Sequence, residues 1–287
     1  MKIFDIPEEL SGGFVRRPED CNKYTVGTVA VVGGSARYAH APVIAALGAR
    51  AAGAGLVQLV VPEASRAAAG MHVPEATFAP LGEGCVPPRA DVTVVGMGLG
   101  MSDGTTELVT RLLEGAKGRF VVDADALSVL AARYAGDGRC SFSEDVTIVL
   151  TPHEGEAARL LACAKEDVAA DRLAAAREIA GRYGATVVLK GHRTLTVSAD
   201  GKRVSENLAG NPCMALGGMG DLLAGTIGAR WAYLKGDPFL AAASGAWLHS
   251  CASDAVVGAA DDPSIANTAA RIGSMRVMLD GCAPLMP

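Results

Sequence analysis

The sequence predicts an α/β fold, a three-layer α/β/α sandwich with a mostly parallel central sheet. Short runs of Val, Ile and Leu recur along the chain, and each is apolar on both faces, as expected of parallel strands that helices cover on both sides. Segments with helical patterns lie between these runs, as parallel crossovers require. The predicted strands are Thr28–Val32, Leu56–Val61, Val92–Val95, Phe120–Val122, Thr147–Leu150 and Thr186–Leu189.

The predicted helices lie between these strands and in the C-terminal part of the chain. Thr194–Ser198 and Arg203–Glu206 flank an Asp-Gly turn, which predicts an antiparallel hairpin after the parallel part. The Pro/Gly-rich segment Pro80–Pro88 is interpreted as a surface loop, so a single domain over residues 1–287 is expected. The helices are Ala41–Ala54, Thr105–Glu114, Asp125–Arg133, Glu154–Leu161, Asp167–Tyr183 and three more after Asp221.

Composition limits the classes of partner. The 287 residues are 50% hydrophobic and carry a formal net charge of -5, with a pI near 5.6. Nucleic acids and anionic membranes need clustered Lys and Arg, so neither is expected as a partner. Small-molecule substrates are expected instead.

Cysteine usage and the N-terminus bear on localisation. The seven cysteines are odd in number, scattered and without a C-x-x-C pair, which argues against a disulfide framework or a zinc site. The first residues lack the apolar core of a signal peptide, and no apolar run approaches the roughly 20 residues of a membrane helix. A cytoplasmic location is expected.

The segment Asn211–Gly225 contains Gly-Gly-Met-Gly-Asp directly before an apolar run. Glycines let the backbone approach a phosphate, and the amides that open a helix favour an anion. A carboxylate repels phosphate, so Asp221 is better suited to be the base that activates a hydroxyl for attack on phosphorus. The alternative is an ordinary turn in which Asp221 only favours the helix start, since a lone glycine motif is weak evidence.

Polar residues and glycines follow five of the strands, at the edge where open α/β sheets bind ligands. Asp123 or Asp125 could instead be a helix N-cap. For Glu154 and Glu156, an interaction with the helix macrodipole is the favoured explanation. The five segments are Gly33–Pro42, Gly96–Gly100, Asp123–Leu127, Thr151–Glu156 and Lys190–Thr194.

The histidines and Lys190 leave alternatives open. His153 is either a hydrogen-bonded structural residue or a ligand contact, because it precedes a helix at the ligand-binding edge. Lys190 is either a surface charge or a cation for nucleotide phosphates. His40, His72 and His249 have no metal-ligand spacing, so no protein metal site is assigned.

Taken in order, these motifs resemble the ADP/ATP-dependent NAD(P)H-hydrate dehydratases, a branch of the ribokinase-like superfamily. The resemblance runs from about Gly27 to Met278, and no epimerase half precedes it, so a stand-alone dehydratase is expected. The motifs lie at Gly33–Pro42, Ala52–Val57, Gly96–Gly100, Asp123–Leu127, Thr151–Glu156, Lys190–Gly191 and Asn211–Gly225.

The resemblance implies repair of hydrated NADH and NADPH. The hydrate hydroxyl attacks the terminal phosphate of ADP or ATP, and elimination of the phosphate ester restores the double bond. Asp221 is then the base, and Gly218 and Gly220 form the anion hole. The implied substrate contacts are Ala41, Gly98, His153 and Asp221, and the implied nucleotide contacts are Lys190, Gly191, His192, Arg193, Thr194 and Gly220.

The resemblance further implies Mg²⁺ bound with the nucleotide phosphates and a homo-oligomer, a tetramer. Two positions depart from the family pattern: His40 stands where Gly is common, and Met219 stands where Ser or Thr is common. A ribokinase-like kinase of a vitamin precursor is the alternative function, and a non-catalytic nucleotide-binding protein is a third. The sequence leaves the choice of ADP or ATP, and of NADH or NADPH hydrate, open.

Overall fold

A computed structural model describes residues 6–82, 85, 87–115, 117–134 and 142–281. Its strands, numbered in chain order, are β1 Thr28–Val32, β2 Leu56–Val61, β3 Thr77–Pro80, β4 Val92–Val95, β5 Gly118–Val122, β6 Val146–Leu150, β7 Thr186–Leu189, β8 Leu195–Val197 and β9 Val204–Glu206. They form one sheet in the order β3-β2-β1-β4-β5-β6-β7-β8-β9. Pairings from β3 to β7 are parallel, and β8 and β9 add an antiparallel hairpin at one edge.

Helices cover both faces of the sheet. They are α1 Lys23–Val26, α2 Ala41–Ala51, α3 Glu63–His72, α4 Asp103–Glu114, α5 Asp125–Tyr134, α6 Glu154–Leu161, α7 Lys165–Ala170, α8 Arg172–Tyr183, α9 Met219–Leu234, α10 Pro238–Gly258 and α11 Ile265–Leu279. Short 3-10 helices span Glu8–Gly13 and Pro212–Met214.

Two hydrophobic cores lie on opposite faces of the sheet. Val29 and Val31 of β1 point into a core shared with α2, α9, α10 and α11. Val32 points into a second core shared with α4, α5, α6 and α8. Successive strand residues alternate between faces, so a strand covered on both sides must be apolar throughout. The three-layer α/β sandwich with a mostly parallel sheet is therefore confirmed.

One predicted helix is wrong. Asp167–Tyr183 is divided into α7 and α8 at Asp171, whose backbone leaves helical geometry at φ -143° and ψ 83°. The Asp171 side chain accepts a 2.9 Å hydrogen bond from the Ala174 amide and so caps α8. Arg172 becomes the first residue of the new helix.

Other differences concern boundaries and missed elements. The predicted helix Ala41–Ala54 ends at Ala51, and α9 starts before Asp221 rather than after it. Helix α3 and strand β3 were not predicted, because neither has a strong apolar pattern; β3 is half-buried or exposed throughout. The predicted loop Pro80–Pro88 begins at the last residue of β3, and residues 83, 84 and 86 lie outside the described residues.

Helices α2 and α9 touch through their backbones. A Cβ atom on Gly48 would lie 2.2 Å from the Leu222 carbonyl oxygen, and one on Gly225 would lie 1.8 Å from the Ala45 carbonyl oxygen. Both positions therefore require glycine. The contact fixes the start of α9 against α2.

Two further findings concern the described residues only. Cys21, Cys85, Cys163, Cys213 and Cys251 are free thiols, and Cys140 and Cys282 lie outside the described residues. No helix in the described part of the chain has the length and apolar character that a bilayer span needs.

Candidate active site

The start of α9 presents unpaired amides. Gly218 has a left-handed backbone (φ 96°), and a Cβ atom there would lie 2.8 Å from Ile44 Cδ1. Within the described residues, the amides of Gly217, Gly218, Gly220 and Asp221 have no hydrogen-bond acceptor. Such a cluster of N–H groups at a helix start is suited to hold an anion.

Asp221 is the third residue of α9, and its carboxyl group is unusually easy to protonate. Burial raises its pKa from 3.8 to about 7, and the negative charge of Asp123 acts in the same direction, while Lys190 opposes both. No hydrogen bond or ion pair to its side chain occurs among the described residues. A carboxylate with a pKa near neutrality can accept a proton and release it again.

Lys190 lies at the centre of a buried charge cluster beside α9. Its Nζ atom is 2.6 Å from Asp123 Oδ1 and 3.7 Å from Glu156 Oε2. Burial alone would lower the pKa of Lys190, but the two carboxylates raise it above its usual range. A Cβ atom on Gly220 would lie 3.4 Å from Lys190 Nζ, so this ammonium group borders the amide-rich loop.

Glu156 and His153 extend this cluster along α6. Glu156 is 6% exposed, and burial raises the pKa of its carboxyl group despite Lys190 nearby. Its Oε2 atom accepts a 2.8 Å hydrogen bond from the His153 amide. The macrodipole explanation was therefore incomplete, because Glu156 also faces Lys190.

The His153 ring caps α6. Its Nδ1 atom accepts hydrogen bonds from the amides of Gly155 (3.0 Å) and Glu156 (3.2 Å), and burial lowers the pKa of the ring. A ring whose Nδ1 accepts carries its proton on Nε2 when neutral. The structural role of His153 is thus present, and its predicted substrate contact stays a prediction.

The predicted nucleotide contacts come together in one cavity. Lys190, Gly191, His192, Arg193, Thr194 and Gly220 all line a space of about 560 Å³ beside the start of α9. The sequence did not indicate the rest of the cavity wall, which includes Leu208, Ala246 and His249. Burial lowers the pKa of His249 to about 4, so the ring is neutral near pH 7. The wall residues carry no motif, which is why the sequence could not identify them.

The predicted substrate contacts lie outside that lining. Gly98 has a left-handed backbone (φ 68°), and a Cβ atom there would lie 3.1 Å from Ala41 Cβ. These two residues follow β4 and β1, and His153 follows β6, so all three lie at the carboxyl edge of the sheet. Asp221 lies near the same edge, since a Cβ atom on the preceding Gly220 would be 3.9 Å from Asp123 Oδ2, just after β5. Asp125 supports the same edge by accepting a 2.8 Å hydrogen bond from the Gly100 amide.

The two departures from the family pattern differ in environment. His40 is exposed and immediately precedes α2. Met219 is 4% exposed, packs in the hydrophobic core and also lines the cavity.

Among the described residues, no group of three or more His, Cys, Asp and Glu side chains could hold a metal ion.

Comparisons with known proteins identify the family. The NAD(P)H-hydrate dehydratase family model matches residues 29–274. An ADP-dependent (S)-NAD(P)H-hydrate dehydratase from Neisseria meningitidis is 41% identical over 85% of this chain and 81% of that protein. A bifunctional NAD(P)H-hydrate repair enzyme from Gloeobacter violaceus is 37% identical over 87% of this chain, which spans about half (49%) of that relative.

Solved structures agree in fold. An ADP/ATP-dependent NAD(P)H-hydrate dehydratase from Bacillus subtilis, co-crystallised with ATP/Mg²⁺, superposes with a TM-score of 0.84 at 24% identity, covering 96% of this chain and 99% of that one. A ribokinase-like superfamily protein from Enterococcus faecalis superposes with a TM-score of 0.80 at 25% identity, covering 96% and 95%. The predicted ribokinase-like fold is confirmed, and the chain belongs to the NAD(P)H-hydrate dehydratase family.

Proposed function

We propose that this protein restores NADH and NADPH from their hydrates at the expense of ADP or ATP, with Asp221 as the base. Family membership supports the reaction. One observation carries the site assignment: a single cavity joins the Lys190–Thr194 loop to Gly220, the residue before Asp221. A nucleotide in that cavity would direct its terminal phosphate at the Asp221 carboxylate.

In the first step, Asp221 takes the proton from the hydrate hydroxyl as the oxygen attacks the terminal phosphorus. A C–O–P ester forms and the shortened nucleotide leaves. In the second step, the ring-nitrogen lone pair expels phosphate, and loss of a proton from the adjacent carbon restores the C=C bond. Phosphate carries away the oxygen of the hydrate, so the net change in the dinucleotide is loss of water.

The remaining groups stabilise charge. The amides of Gly218 and Gly220 have no acceptor among the described residues, and we propose that they form the anion hole for the transferring phosphoryl group, whose charge spreads over its oxygens. Lys190 supplies a fixed positive charge beside them. Asp123 pairs with Lys190 at 2.6 Å and holds it in place, and its negative charge adds to burial, the larger cause, in raising the pKa of Asp221.

Magnesium is proposed to enter with the nucleotide. The described carboxylates form no group of three that could hold a metal ion, and Mg²⁺ is commonly held by substrate phosphates with few protein ligands. When bound, it would neutralise phosphate charge. A homotetramer is proposed on the family resemblance alone, and a cytoplasmic location on the scattered cysteines.

The choice of nucleotide can be ranked for testing. The relative from Neisseria meningitidis is named ADP-dependent, and the Bacillus subtilis protein is named ADP/ATP-dependent. We therefore propose ADP as the first nucleotide to test, followed by ATP.

The decisive experiment follows both products at once. Purified protein with hydrated NADH, Mg²⁺ and ADP should yield NADH, seen by its absorbance, and inorganic phosphate in equal amounts. Omitting the hydrate should leave nucleotide cleavage at background. Phosphorylation of a vitamin-like alcohol, with no NADH formed with either nucleotide, would favour the kinase and overturn the proposal.

A further inference from the structure

Arg172 lies against the backbone of the loop that follows β7. Its Nη1 atom donates to the carbonyl oxygens of His192 (2.6 Å) and Arg193 (3.1 Å). Its Nη2 atom donates to those of Leu189 (3.1 Å) and Lys190 (3.3 Å). One side chain thus holds four of five consecutive carbonyl groups.

The loop has two residues with unusual backbones. Gly191 has φ 149°, and a Cβ atom there would lie 2.8 Å from Arg172 Nη2, so glycine is needed for the guanidinium to approach. Arg193 has φ 58° although it is not a glycine. Such a conformation costs about 1 kcal/mol or more and persists only when neighbouring groups enforce it. The hydrogen bond from Arg172 restrains the Arg193 backbone at its carbonyl, while the Arg193 side chain pairs with Glu206 Oε1 at 3.0 Å.

The break between α7 and α8 places Arg172 there. Asp171 caps α8, and Arg172 is its first residue. Its Nε atom faces Glu154 Oε1 at 3.3 Å, so the guanidinium has a carboxylate on one side and carbonyls on the other. Its side chain is 19% exposed and is absent from the lining of the 560 Å³ cavity.

We infer that Arg172 is a positioning residue that holds the Lys190–Thr194 loop in the shape that accepts a nucleotide. The inference rests on the proposed function, because that loop lines the proposed nucleotide cavity. Arg172 acts through the backbone and touches no ligand itself. Lysine cannot replace it, since an ammonium group has three donors on one atom and cannot span four carbonyls.

The test compares Arg172→Ala and Arg172→Lys with Arg177→Ala. Arg177 is a matched control, because it lies on the same helix and its Nε atom donates to one carbonyl outside the loop, Gly201 (3.3 Å). Calorimetric titration with ADP and ATP should show the Kd raised by about tenfold in both Arg172 variants, as when only a tenth of the molecules retain the competent loop. Arg177→Ala should bind like wild type.

Two further measurements separate positioning from general damage. Amide hydrogen exchange of the ligand-free protein should accelerate at residues 190–194 in Arg172→Ala and remain unchanged in the core strands. In steady-state assays, the KM for nucleotide should rise by about the same tenfold factor, while the KM for hydrate stays within about twofold. A uniform rise in exchange would mean a structural role and would overturn the inference.

The outcomes also separate this inference from the proposed function. If wild type binds nucleotide and Arg172→Ala binds equally well, the inference fails and the proposed function stands. If wild type binds neither nucleotide, the proposed function fails, while the exchange measurement still decides whether Arg172 orders the loop. If Arg172→Lys binds nucleotide as tightly as wild type does, the inferred requirement for a forked donor is wrong.

Discussion

Helix α9 carries a fully buried charge near its C-terminal end and a partly buried one near its N-terminal end, and the two have opposite environments. Near its C-terminal end, Arg230 is fully buried, and its Nη1 atom lies 2.9 Å and 3.0 Å from the two carboxylate oxygens of Asp280. Its Nη2 atom donates to the Gly13 carbonyl. At the N-terminal end, the Asp221 side chain has no hydrogen bond or ion pair among the described residues. Burial and the negative charge of Asp123 both disfavour its ionised form.

The difference separates a paired structural charge from the charge that we propose to be reactive. A buried ion is tolerated when its partners compensate for lost hydration, as they do for Arg230. Asp221 lacks that compensation, so its pKa rises to about 7. An acid with a low pKa would be a weak base, so the absence of a partner suits Asp221 to the role of base that we propose for it. Three predictions test this contrast.

The largest effect is expected from Asp221→Asn, which keeps the shape and removes the base. Turnover of hydrated NADH should fall by about 10²–10⁴-fold, as is usual when a general base is lost, while nucleotide binding by calorimetry survives. Asp103→Asn is the control, because Asp103 is an exposed acid in the first turn of another helix, α4. Near-normal turnover in Asp221→Asn would remove it from the mechanism.

At the other end of α9, Asp280→Asn should leave Arg230 buried without its counter-charge. Stability to denaturant should fall by about 3–5 kcal/mol, the usual result of breaking a buried pair. Asp237→Asn is the control: its pair with Arg203 is bidentate but half-exposed, so the loss should be less than about 1 kcal/mol. Equal losses in the two variants would show that burial does not distinguish these pairs.

The smallest effect is a pH-dependent gap in melting temperature between Asp221→Asn and wild type. The folded-state pKa of Asp221 is raised, so the stability it contributes is full below about pH 3.8 and is lost as the pH rises through about 7. Asparagine does not titrate. The stability of the variant relative to wild type should therefore increase as the pH rises to about 7. Each 1 kcal/mol of this relative stability should raise its melting temperature over that of wild type by roughly 2–4 °C.

Melts from about pH 5 to about pH 8 measure this gap. It should level off above neutrality, because Asp221 is then ionised in both the folded and the unfolded protein. A gap that does not change with pH would mean that the Asp221 carboxyl group has no raised pKa. The same titration should appear in kcat/KM, which should fall on the acid side of about pH 7 as the base becomes protonated.

The sequence was sufficient to predict those parts of the molecule whose structure is determined by a local pattern. The buried strands and the loop before Asp221 were predicted because apolar runs and glycine spacing depend on few neighbours. It was insufficient where charge pairing over long sequence separations matters. Lys190 lies 67 positions from Asp123, yet the two meet at 2.6 Å. No local pattern indicates that pairing, nor the break at Asp171 that brings Arg172 to the Lys190–Thr194 loop.

The roles of the predicted site residues and the single-domain prediction stay predictions. What the structure adds is that the proposed nucleotide contacts share one cavity. It also shows that Glu156, interpreted only as a helix-start acid, faces Lys190 at 3.7 Å. An acid at a helix start can lie in solvent or face a buried partner, and which of the two occurs depends on tertiary packing that the local sequence does not specify.

The backbone contact between α2 and α9 has a consequence for precision. Side chains that separate two helices can change rotamer and let the spacing drift by an ångström, whereas a carbonyl resting on a glycine has no such freedom. Ala41 begins α2 and Asp221 lies in the first turn of α9. Gly48 and Gly225, neither of which is assigned to a ligand, thereby set how accurately Ala41, a predicted substrate contact, is placed relative to Asp221, the proposed base.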